Sequence, residues 1–162
     1  KLPDCPKDKS EGKYNKMVAD NNDDYCLFDC KMLSVDGSPK KIEACDIYTK
    51  DKQFIHVKNK GQSAQLSHLF AQGKISAECF SSDESFRKQI VDIAIEKFGS
   101  EPFDASVKPR SNEYEIIYAI IDDKDSDINA KLPFFSKVNL MVTAQELERM
   151  HFRYSVCLIK RQ

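Results

Sequence analysis

At 162 residues, with 41% apolar and 31% charged side chains, the chain holds one ordinary hydrophobic core, and its lack of internal repeats or low-complexity runs points to a single α/β domain. A formal net charge of −1 removes any general electrostatic case for nucleic acid, and apolar runs such as residues 116–121 fall far short of the roughly 20 residues that span a bilayer. No Gly-rich phosphate loop, G-x-S-x-G elbow or supported Cys-His pair occurs, which argues against nucleotide-triphosphate hydrolysis and acyl transfer.

Residues 1–9, with Pro3 and Pro6 among polar neighbours, read as a flexible lead-in, so the domain is expected over 10–162. Ser10 and Glu11 open a short helix with Tyr14, Met17 and Val18 on one side, which ends in the polar run 20–24. Residues 25–35 form a first strand closed by the turn Asp36-Gly37. A hairpin follows, with strands at 41–48 and 53–59. Residues 61–63 turn the chain into a helix whose buried side carries Leu66, Leu69 and Phe70, and Gly73 is expected to end or interrupt it. The next helix, 83–98, shows Phe86, Ile90, Ile93, Ala94 and Phe98 at three- and four-residue steps, with Ser82 or Asp83 as its cap and Gly99 as its stop. After a proline-bearing surface connection at 101–112, residues 114–121 read as a strand buried on both faces and the expected centre of the sheet. A helix opened by Pro133 and a last strand at 154–159 complete the order α-β-β-β-α-α-β-α-β, a mixed central sheet flanked by helices.

The six cysteines, Cys5, Cys26, Cys30, Cys45, Cys79 and Cys157, show neither a CxxC pair nor a repeated Cys/His spacing, which argues against structural zinc. Reduced thiols are expected, in a cytoplasmic or otherwise reducing compartment. Cys26 and Cys30 are expected on one face of a strand. The first residue is Lys rather than Met, so the chain is read as an excised part of a longer protein.

Chemistry is concentrated in the hairpin. With its turn centred on Asp51, residues whose numbers sum to roughly 102 oppose one another. Asp46 then faces His56, and Lys58 points to the same side by the period of two. A carboxylate, an imidazole and an ammonium converge there, and a carboxylate beside an imidazole is an arrangement used by metal-binding and general-base histidines. Lys40, Lys41, Lys50, Lys52, Lys58 and Lys60 give the same region a local excess of positive charge suited to tracking phosphates, or simply a solvated hairpin tip, while residues 122–127 form an acidic loop elsewhere. Ser63, Gln65, Ser67 and His68 open the following helix, where outward-pointing backbone amides hold an anion or where Ser63 merely caps.

A helix, a three-strand meander with an acid on its second strand and a lysine on its third, then helix, strand, helix, strand: this pattern resembles the restriction-endonuclease-like fold, the PD-(D/E)xK superfamily. The resemblance implies that Asp46 holds a divalent metal, Mg²⁺ or Mn²⁺, that Lys58 positions the attacking water, and that Glu11 is the extra acid some members carry on the opening helix. His56 stands where the second carboxylate belongs, which tilts the site towards softer ions such as Mn²⁺. The phrases CDIYTKDKQFIHVKNK, SAQLSHLFAQGKISA and LPFFSKVNL also resemble a sporadically distributed, poorly characterised bacterial family linked to mobile elements. In that family they lie in the later part of a much longer protein.

The expected site is therefore Asp46, His56 and Lys58 for catalysis, Asp46, His56 and Glu11 for metal, and Lys50, Lys52, Lys60, Ser63 and His68 for nucleic acid. The expected function is a divergent metal-dependent nuclease-like domain acting on DNA or RNA. The alternative is a catalytically inactive module of the same fold that binds nucleic acid or the remainder of its parent protein. A third carboxylate within reach of Asp46 favours the nuclease. Glu43 is an odd number of residues from Asp46, so a regular strand sends it to the other face.

Overall fold

In the computed structural model, which describes residues 1–123 and 132–162, the chain runs α1 (Glu11–Asp20), β1 (Tyr25–Leu27), β2 (Met32–Ser34), β3 (Lys41–Glu43), β4 (Ile47–Thr49) and β5 (Gln53–Asn59). It continues through α2 (Ser63–Ser82), α3 (Glu84–Phe98), a 3-10 turn (Ser111–Glu113), β6 (Glu115–Asp122), α4 (Phe134–Arg149) and β7 (Arg153–Lys160). The main sheet has the order β1-β4-β5-β6-β7. Its first three strands are antiparallel neighbours, and β5, β6 and β7 run parallel. This is the expected mixed sheet flanked by helices. Among its strands β5 is the middle one, and β6 lies beside it.

Each of the two strands expected at 25–35 and 41–48 is divided. β1 pairs with β4 and β2 with β3, in two separate sheets, so one long hairpin has been broken across its middle. Residues 28–31 on one side of the break face only 44–46 on the other, a one-residue mismatch of the kind that makes a bulge and bends the ladder. Cys30 takes a left-handed φ of 64° there. Past the break β5 continues to Asn59 while β4 has peeled away.

Alternation along the strands sorts the core into two faces. Ile47, Ile55, Val57, Ala119 and Ile121 meet Tyr14 and Val18 of α1. Tyr48, Phe54, Ile116, Tyr118 and Ile120 face α2, α3 and α4 through Phe70, Phe80, Phe86 and Leu147. The lead-in is tied to the sheet: Cys5 is fully buried and bridges Arg161 in parallel, with its N–H donating to the Lys160 carbonyl at 2.8 Å.

Helix α2 passes through Gly73 without interruption. A Cβ at that position would lie 2.5 Å from the Tyr118 ring and hydroxyl, so the glycine serves close approach of α2 to β6, and it does not break the helix. Tyr118 in turn donates to the Phe70 carbonyl at 3.0 Å. The caps of α3 are as expected: Asp83 accepts from the Phe86 N–H at 3.0 Å, and Gly99 closes the helix at φ 75°. The other Asp83 oxygen accepts from the Asp36 N–H at 2.8 Å and pins the turn between β2 and β3 to this cap. All six cysteines are unpaired thiols. Cys26 is buried and Cys30 exposed, so the break separates two residues expected on one face. Among the described residues no helix is long and apolar enough to cross a membrane.

Gly73→Ala is expected to destabilise the fold by about 1–3 kcal/mol through this overpacking, read by denaturant unfolding. An unchanged midpoint would contradict the close approach of α2 to Tyr118.

Candidate active site

The break in the hairpin leaves an open edge. Beyond residue 55, β5 has no strand on its β4 side among the described residues, and the backbone N–H groups of Val57 and Asn59 point into that gap. Two side-chain carboxylates take the place of the missing strand. Asp46, immediately before β4, accepts from the Val57 N–H at 2.6 Å, and Glu11, in the first turn of α1, accepts from the Asn59 N–H at 2.8 Å. The second Glu11 oxygen accepts from Lys58 Nζ at 2.8 Å. These bonds satisfy donors that would otherwise be stranded in a half-buried position.

Around this edge lies a pocket of about 400 Å³ lined by Glu11, Asp29, Glu43, Asp46 and Lys58 among others. Asp29 and Glu43 come from the two sides of the break. Because the strand is not regular between residues 43 and 46, Glu43 reaches the same pocket as Asp46, contrary to the odd-spacing expectation. Behind them Asn15 of α1 is fully buried, and its amide donates to Asp29 Oδ2 at 3.1 Å and to Asp46 Oδ1 at 3.2 Å, holding the two carboxyl groups side by side. Ligand atoms of Asp29, Cys30 and Glu43 all lie within 4.8 Å of one another.

Crowding shifts the protonation of the site. Burial pushes the Asp46 carboxyl up to about 8, opposed by the Val57 N–H and reinforced by the charges of Glu43, Asp29 and Glu11. Glu43 is raised as well, mainly by burial. Lys58 is held above its ordinary value by its hydrogen bond to Glu11. One ammonium thus faces four carboxyl groups, an imbalance that favours the protonated form of Asp46.

Of the residues expected at the site, Asp46, Lys58 and Glu11 line this pocket and His56 does not. The register of β4 on β5 is the anticipated one, with Ile47 opposite Ile55 and Tyr48 opposite Phe54. His56, however, is 3% exposed on the face covered by α2, its ring 6.1 Å from that of Tyr118. Burial lowers its pKa to about 4, and its Nε2 has no hydrogen-bond partner among the described residues. The Asp46 carboxylate turns to the Val57 backbone instead.

The lysines do not form one patch. Lys50 and Lys52 flank the β4–β5 turn, roughly 20 Å along the strand from Lys58, where they pair with Asp24 at 2.9 Å and with Glu113. Lys60 sits at the far end and pairs with Asp122 at 3.0 Å. Of the acidic loop expected at 122–127, residues 124–127 lie outside the described residues. Ser63 is the first residue of α2, and its hydroxyl is 2.9 Å from that of the buried Ser136, which joins α2 to α4. His68 is exposed and lines an adjoining pocket of about 290 Å³ that shares Glu43 and Gln72 with the first.

A family model described as a family of unknown function, DUF6119, matches residues 1–160. The chain belongs to the DUF6119 family. No curated protein and no solved structure matches it. DUF6119 membership agrees with the resemblance to a poorly characterised family and leaves function to be argued from the site of this DUF6119 domain itself.

The raised Asp46 carboxyl sets the sign of a pH effect. The folded protein binds this proton up to about pH 8, whereas the ordinary carboxyl releases it near 3.8, so the stabilising contribution of the proton is lost as pH rises through that window. Asp46→Asn, which keeps an acceptor for Val57 and carries no charge, is expected to gain thermal stability relative to the wild type steadily from pH 4 to 8. A pH-independent difference in melting temperature would contradict the assignment.

Proposed function

We propose that this domain is a divergent divalent-metal-dependent nuclease-like domain acting on DNA or RNA. The observation that carries the proposal is the convergence of Glu11, Asp29, Glu43, Asp46 and Lys58 on one pocket, with Asp46 displaced far from its ordinary pKa. The donor set suits a hard cation: carboxylate oxygens in excess of positive charge, of the kind that Mg²⁺ and Mn²⁺ take. Such an ion supplies Lewis-acid polarisation of a phosphodiester and a water of lowered pKa when bound. Asp46 and Glu43 would hold it and Asp29 would extend the set, while Asn15 positions Asp29 and Asp46. Lys58, tethered to Glu11, orients the attacking water and places a positive charge beside the phosphate.

The order of elements also supports a restriction-endonuclease-like fold, with α1 first, then an antiparallel meander bearing Asp46 just ahead of β4 and Lys58 on β5, then parallel strands reached through helices. The second carboxylate of that superfamily, absent at His56, is supplied on this reading by Glu43 from across the broken hairpin. A role in conflict between a host and mobile DNA fits the family resemblance. The second reading, a non-catalytic module binding nucleic acid or the rest of a parent protein, is favoured by the ion pair between Lys58 and Glu11, which neutralises the lysine.

The test is cleavage of plasmid DNA and single-stranded RNA with Mn²⁺, Mg²⁺ or EDTA. Metal-dependent cutting is expected, reduced about 100-fold or more by Asp46→Ala, Glu43→Ala or Lys58→Ala and unaffected by His56→Gln in a folded sample. Absence of cutting by folded protein with either metal and either substrate would move the assignment to the binding module.

A further inference from the structure

A second pocket, of about 610 Å³, lies at the other end of the parallel strands, where the chain enters β6 and β7. Its wall is made by Lys108, Arg110, Arg149 and His151 together with Ser81 at the end of α2. Among the described residues no carboxylate lines it. The turn that ends α4 fixes Arg149 and His151 in this wall: His151 has a left-handed φ of 64° and its N–H donates to the Glu148 carbonyl at 2.9 Å, while the Phe152 N–H donates to the Leu147 carbonyl at 3.0 Å.

The charge here is unanswered, unlike that of the lysines around the sheet. Lys50, Lys58, Lys60 and Lys74 each have a carboxylate within 3.0 Å. Lys108 and Arg149 have no ion pair among the described residues, and Arg110 reaches only Glu113, at 3.9 Å, whose carboxylate is held more closely by Lys52. Arg87, 5% exposed, lies immediately behind. It donates to the carbonyls of Ala105 at 2.8 Å, Phe80 at 3.0 Å and Ser81 at 3.5 Å and has no ion pair among the described residues. A buried guanidinium met by carbonyl dipoles keeps a net positive charge that no carboxylate among the described residues neutralises. The Ser81 hydroxyl, on the pocket wall, is itself buried with no hydrogen-bond partner among the described residues.

We infer that this pocket binds a phosphate-bearing anion. Two exposed guanidinium forks, an ammonium and a free buried hydroxyl match the several acceptor oxygens of a phosphate or pyrophosphate group, and the cavity has the size of a small-ligand site. The site is separate from the carboxylate pocket and does not rest on the nuclease reading.

The test is a pyrophosphate titration of the 162-residue chain in EDTA and 150 mM NaCl, about physiological ionic strength. It is followed by calorimetry and by amide NMR shifts of the wild type. Saturable binding with shifts at Ser81, Arg110 and Arg149 is expected, weakened about tenfold or more in Arg110→Gln/Arg149→Gln and in Ser81→Ala. Lys137→Gln, on another surface, should leave it unchanged. A short single-stranded DNA that displaces pyrophosphate from these residues would identify the source as nucleic-acid backbone phosphate, and pyrophosphate binding without such competition would identify a small phosphate ester; either result upholds the site. Absence of pyrophosphate binding, shifts confined to other residues, or an affinity unchanged in the double variant would overturn it.

Discussion

The structure turns on a mismatch of one residue in a hairpin. Four residues face three where the strands around Asp29 and Asp46 would otherwise pair, so β4 leaves the edge of β5 before β5 is finished. The donors left open at Val57 and Asn59 demand acceptors, and the chain answers with Asp46 and Glu11. Each carboxylate meets a structural requirement, and together they bring negative charge into a half-buried cleft where Glu43 and Asp29 already stand. Asp46 carries the consequence, since burial and its neighbours make its charged form costly.

The rest of the fold serves this edge. Helix α1 packs on one face of the sheet beside the lead-in and delivers Glu11 to the pocket and Asn15 to the floor behind it. On the other face α2 is drawn onto β6 through Gly73, and the same closeness buries Tyr118 and, beside it, His56. The positive charge of the region is distributed into pairs: Lys58 with Glu11, Lys60 with Asp122, Lys50 with Asp24. The unanswered cations gather at the opposite end of the parallel strands, where Arg110 and Arg149 line a different pocket.

Much of the architecture was legible in the sequence because it rests on periodicity and on caps. The helical steps from Phe86 to Phe98, the Asp83 cap and the apolar run of β6 each carry a local signal that tertiary contacts do not override. Asp46 and Lys58, singled out by hairpin register and by the fold resemblance, line one pocket with Glu11, which the resemblance alone named. Glu43, Asp29 and Asn15 were not legible. Parity along an ideal strand sent Glu43 to the wrong face, and no single residue announces a one-residue mismatch between strands; the nearest hint is aspartate, a poor strand former, inside two otherwise strand-like runs. His56 shows the complementary limit. Parity gives a side, but depth depends on what covers that side: His56 is buried, whereas Lys58 reaches the pocket. Gly73 was misread for a related reason, since local propensity cannot tell a helix breaker from a point of close approach.

Burial at the open edge of β5, reinforced by the carboxyl groups of Glu43, Asp29 and Glu11, is held to keep Asp46 protonated at neutral pH. The most direct measurement is a ¹³C NMR titration of the Asp46 side-chain carboxyl in the wild-type chain without divalent ions, assigned by comparison with Asp46→Asn. A midpoint near 8 is the predicted result. A midpoint in the ordinary aspartate range, near 3.8, would contradict the account.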